Sequence, residues 1–154
     1  MTDSLYDWLL FLHIVAAMLW VGGTLVLAAL ATRVLREGEP GAIARFVGSL
    51  RIVGPLVMAP APALVIGLGI WLVAESAAWD FGQRWIDVAF GLFGAAFLVG
   101  ALHQSRTAIA AERASTAGDH PQAARQLRRW AFGALAILLI LVAATWDMVF
   151  KPGL

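Results

Sequence analysis

His13 is the residue in this sequence best placed to do chemistry. It lies inside the apolar run Trp8 to Ala31 and is the one ionisable side chain there. An ionisable group at membrane depth is costly, and by default it marks a functional site whose partner must be found. An imidazole in that setting can transfer a proton, ligate a metal or ligate a haem iron. Asp147 and Asp87 are the candidate carboxylate partners, because both fall near the same membrane boundary as His13. A facing carboxylate would orient the ring for proton transfer or for a metal, or would simply clasp two helices. His103 and Arg51 form a second polar level. Either they snorkel to head groups, or together they hold an anionic ligand such as a porphyrin propionate. Trp20 is the single mid-membrane tryptophan, a packing residue or part of a ligand pocket. Met18 and Met58 are soft side chains that read as filler. His120 sits in a polar turn and reads as solvated.

Composition sets the elements that must carry these residues. Of 154 residues, 61% are hydrophobic and 14% are charged, and mean hydropathy is +0.82. A soluble domain carries about 25% charge, so the chain reads as a multi-pass membrane protein. With no cysteine, disulfides, iron–sulfur clusters and thiolate metal sites are excluded. A net charge of +1 implies no attraction to nucleic acid. Asp3 and Asp7 stand where a cleavable signal would need Lys or Arg.

A span needs roughly 20 apolar residues. Residues 8–32, 52–74, 86–105 and 130–150 qualify, which predicts an all-α four-helix bundle in a single domain, residues 1–154. Pro55, Pro60 and Pro62 predict a kink in the second span. Arg33, Arg36, Arg45 and Arg51 flank the first connection, and Arg106, Arg113, Arg125, Arg128 and Arg129 the third. That leaves two of the eleven basic residues, Arg84 and Lys151, elsewhere. The positive-inside rule then places both termini and the 75–85 connection on the outer side of a bacterial cytoplasmic membrane. Trp8, Trp71, Trp79, Trp85 and Trp146 fall near the outer interface, and Trp130 near the inner one. Glu39-Pro40 and Gly118-Asp119-His120-Pro121 read as helix starts, so the third and fourth helices should project as an Arg-rich hairpin. The small residues Gly22, Gly23, Gly91, Ala95 and Gly100 read as sites of close helix packing.

Helical rise separates the two histidines. His13 lies roughly 8 Å inside the outer boundary and His103 roughly 25 Å inside it. Axial nitrogens on one haem iron stand about 4 Å apart, given metal–nitrogen bonds of about 2 Å. His13 and His103 therefore do not clamp one haem within a monomer. No hydrolase triad, phosphate loop or carboxylate cation site is present.

Leu12-His13-Ile14 followed by Trp20-Val21-Gly22-Gly23 resembles the first helix of the HemJ family of membrane protoporphyrinogen oxidases. It is also similar to the copper resistance protein D family and to a large uncharacterised family of bacterial membrane proteins, the nearest of the three. Pro62-Ala63 through Gly67-Leu68-Gly69-Ile70-Trp71-Leu72 resembles the HemJ second helix. His103 falls where the third helix of that family carries a histidine, and Lys151-Pro152 resembles its ending. The family's helix-3 lysine falls on Ala89 here, and its helix-4 Asn-Glu pair is missing around Phe132, Gly133 and Ala134. The resemblance implies a HemJ-like scaffold that binds haem b or a porphyrin in a redox role, without the oxidase reaction. Its candidate site residues are His13, His103, Arg51 and Trp20. The alternatives are a non-catalytic subunit of a larger membrane complex, or a homo-oligomer, and copper handling with His13 as the metal ligand.

Overall fold

The computed structural model describes residues 2–153, and the side chains of Thr2 and Asp3 lie outside that description. Helix α1 runs Thr2–Glu37, α2 Pro40–Val53, α3 Pro60–Glu75, α4 Arg84–Leu98, α5 Ser105–Thr116 and α6 His120–Phe150. A π-helical turn, Gly54–Met58, joins α2 to α3, and another, Val99–Gln104, joins α4 to α5. The six helices therefore make four rods, each long and apolar enough to cross a membrane.

Local chemistry explains the joints. Pro60 and Pro62 lack the N–H that would close a regular turn. The backbone widens in response, and Ala59 N donates to Gly54 O five residues back at 2.9 Å. The kink expected from the prolines is thus a π turn inside a continuous rod. Gly38 takes a left-handed φ of 68° and ends α1, and Pro40 opens α2 at its first turn. Gly118 does the same after α5, with φ of 75°. Asp119 then caps α6 by accepting from Gln122 N at 3.0 Å.

The rods overreach a bilayer. At 31 to 36 residues for three of them and 33 for the remaining one, they are about 46–54 Å long against a hydrocarbon core of about 30 Å. All four extend at the Arg-rich end, where the sequence reading had only a hairpin projecting. A buried core of Ala31, Ile43, Phe46, Val47, Leu50, Ala111, Leu127 and Trp130 ties them there. Trp130 is correspondingly not an interfacial side chain. It is buried edge-on against Phe46, with ring centroids 6.2 Å apart.

In the membrane half, α1 packs along α3 and α6, and α6 packs along α4. Helices α3 and α4 barely touch. The bundle is therefore an arc with one open side. A second core, including Ala16, Trp20, Ala61, Val65, Ala96, Ile137 and Leu141, fills the middle of the arc. Leu12, Met18, Val26, Leu56, Leu139 and Val142 are exposed on the outside, as a lipid-facing surface requires. Gly23 seats the Sδ and Cε of Met58 where a Cβ would otherwise stand. Gly91 and Ala95 lie on the exposed face of α4 instead of at a helix crossing.

Candidate functional site

His13 is turned into the bundle and is only 6% exposed. Its ring lies alongside the Val65 backbone on α3. Gly69, one helical turn further on, makes the room: a Cβ there would stand 3.4 Å from His13 Cε1 and 3.7 Å from Nδ1. His13 Nδ1 is buried, and the Val65 backbone beside it does not come close or straight enough to complete a hydrogen bond. An orphaned polar atom of this kind costs about 1–3 kcal/mol.

The ring borders a cavity of about 190 Å³. Its walls come from α1 (Tyr6, Leu10), α3 (Val65, Gly69, Leu72) and α4 (Trp85, Ala89, Phe90, Phe93), and Met148 and Lys151 join the lining from the end of α6. The cavity thus lies where α3 and α4 fail to meet, with His13 at its back. At its mouth, Lys151 Nζ sits 4.2 Å from the centre of the Trp79 ring and 5.6 Å from that of Trp85. The two indoles pack edge to face, 5.2 Å apart at 85°. Sequence reading put both in an interfacial belt. Trp8, Trp71 and Trp146 do point outward, but Trp79 and Trp85 turn in to line the cavity.

The structure brings neither proposed carboxylate to His13. Asp87 is exposed on α4. Asp147 is buried, at 2% exposure, and its Oδ2 has no partner. The imidazole is packed against Gly69 on α3, and neither His13 Nδ1 nor Asp147 Oδ2 finds a partner. Asp147 still had a sequence signal. It continues the buried stripe Ala134, Ile137, Leu141, Ala144 at three- or four-residue steps.

The second polar level is taken apart in the same way. His103, set in the Val99–Gln104 π turn, shares a hydrogen bond with the Arg129 carbonyl through Nε2 at 3.0 Å. A Cβ on Gly133 would come within 2.5 Å of His103 Cδ2. Arg51 pairs instead with Glu112 at 3.3 Å. Trp20 packs against Phe93, ring centroids 6.2 Å apart, behind the cavity wall.

Over residues 7–152 the chain matches the family described as "Predicted integral membrane protein (DUF2269)". The protein belongs to that family. Comparison with curated proteins and with solved structures finds no match.

In this DUF2269 protein no group of three or more His, Cys, Asp or Glu side chains is positioned to hold a metal ion, among the described residues. For copper the cavity offers the His13 imidazole, the Met148 thioether and the Tyr6 phenol, and no clustered carboxylate or second imidazole joins them among the described residues. A haem meets a different obstacle. Sites that hold drug-sized ligands measure about 300–1,000 Å³, a porphyrin is at least that large, and this cavity is about 190 Å³. The residues present do not enclose a haem. What the arrangement offers is one imidazole, one phenol and one ammonium in an otherwise apolar, aromatic wall.

Proposed function

We propose that this integral membrane protein binds a small lipid-dissolved molecule between α3 and α4 and holds it by a hydrogen bond to His13. The observation that carries the reading is the buried, unpartnered Nδ1 of His13 at the back of a cavity. A native structure rarely leaves such an atom orphaned without a ligand or water to meet it. The sparse α3–α4 contact gives a lipid-dissolved molecule a way in. The arginine distribution supports an orientation in the cytoplasmic membrane of a bacterium with the cavity mouth facing outward.

The test is organic extraction of the purified protein followed by mass spectrometry. A lipophilic molecule should be present in near-equimolar amount and be lost from both His13→Leu and Gly69→Leu, the second of which fills the cavity. The visible spectrum should lack a Soret band. A Soret band that disappears in His13→Ala would replace this reading with a haem protein, and an empty wild-type extract would remove it.

A further inference from the structure

We infer that the Lys151–Trp79–Trp85 cluster selects an anionic head group, so that the occupant of the cavity is a slender acid-headed amphiphile entering from the lipid. The inference rests on the binding function proposed above and specifies its ligand.

Lys151 is fixed where a receptor for an anion would need it. It follows α6 with a left-handed φ of 43°, and its backbone N donates to Asp147 O at 2.8 Å. This reversal carries the side chain over the two indoles at the mouth of the cavity. The rings are themselves held in place. Trp85 Nε1 donates to Gln83 Oε1 at 3.2 Å, and Trp79 N donates to Ser76 Oγ at 3.1 Å. Ring faces attract the ammonium without using up its three N–H donors.

Two of the acids nearby are committed elsewhere, and Asp147, one turn before Lys151, keeps Oδ2 unpartnered and makes no ion pair with it. Asp80 Oδ1 accepts from Gly82 N at 2.7 Å, and Glu75 Oε1 accepts from the Trp71 indole at 3.2 Å. Among the described residues, no carboxylate stands within ion-pair distance of Lys151. The result is a cation with open donors at the wet end of an apolar cavity. That is the complement of an anionic head on an apolar body.

Two dimensions narrow the body. An enclosed cavity of about 150 Å³ admits a benzene ring, so one of about 190 Å³ takes a single ring or a chain of similar width. Along α4 the lining runs from Trp85 to Phe93, eight residues or about 12 Å. An occupant anchored at Lys151 therefore has up to about 12 Å of lined cavity ahead of its head group, with His13 on the wall it passes. Any longer tail leaves through the gap between α3 and α4.

The experiment is equilibrium binding of octanoate, ω-hydroxyoctanoate and octanol to the full chain in phosphatidylcholine nanodiscs, with empty discs subtracted. Octanoate should bind about tenfold or more tightly than octanol, the worth of one charge-assisted hydrogen bond. Lys151→Gln should abolish that preference, and an unchanged thermal unfolding midpoint shows that the variant is folded. Lys151→Arg should retain the preference. ω-Hydroxyoctanoate should bind more tightly than octanoate, and that margin should vanish in His13→Leu. Equal wild-type affinity for octanoate and octanol, or a preference that survives Lys151→Gln, overturns the head-group assignment and leaves the binding function standing. If none of the three binds the wild type, the binding function fails and this inference fails with it.

Discussion

His13 and His103 are each seated against a glycine of a neighbouring helix, and their fates differ. At the Arg-rich end, His103 lies over Gly133 and reaches the Arg129 carbonyl. At the end carrying the termini, His13 lies against Gly69 and keeps Nδ1 unpartnered beside a cavity. The same pairing of a flat polar ring with a missing side chain makes a closed clasp in one place and an open site in the other. Proximity of helices is not what separates them. The difference is geometry: the Arg129 carbonyl lies within hydrogen-bond distance of the His103 ring, whereas the Val65 backbone beside His13 does not complete a hydrogen bond to Nδ1.

The largest expected effect tests the clasp. Gly133→Val forces a branched side chain into the His103 ring and should lower stability by about 1–3 kcal/mol, read by thermal unfolding in detergent. An unchanged midpoint would mean that the ring moves aside at no cost, and the two sites would then differ less than the geometry says. His103→Leu comes next. It should cost about 1 kcal/mol, the net worth of one hydrogen bond, with ligand affinity unaffected. His13→Leu should move the other way, leaving stability unchanged or raising it by up to about 1 kcal/mol because an orphaned polar atom is removed. Its cost should fall on ligand binding alone. Equal destabilisation by both histidine replacements would erase the comparison. The smallest effect is that of Gly69→Ala. A methyl group 3.4 Å from His13 Cε1 is in ordinary contact, so stability should shift by no more than about 0.5 kcal/mol while the cavity narrows measurably in ligand affinity.

The membrane rods and their ends were legible from local chemistry. Apolar run length marked four crossings, Pro40 opened α2, and Asp119 capped α6. His13 stood out for a similar reason, since one ionisable residue in an apolar helix is visible without any neighbour. What sequence could not supply was direction. The side chain of His13 lies against Gly69 on α3, while Asp87 is exposed on α4 and Asp147 is buried without a bond to it, so matching by depth did not name its neighbours. Trp130 showed the same limit, because an indole near a boundary suits a lipid interface and a protein core equally well until Phe46 is placed beside it. The Lys151 cluster was hidden altogether. Residues 79, 85 and 151 meet only through the return of the fourth rod, and no periodicity records that meeting.

The core at the Arg-rich end has a mechanical consequence for the rest of the molecule. Within lipid, apolar helices gain nothing from the hydrophobic effect by touching one another. Ile43, Phe46, Val47, Leu127 and Trp130 form a buried core at the Arg-rich end, where rods about 46–54 Å long outrun a hydrocarbon core of about 30 Å and water restores that driving force. The rods are gripped like the legs of tongs, fastened at the handle and free to stand apart at the tips. A bundle held this way needs no tight seam between α3 and α4, and its membrane half can give up packing to keep a space open.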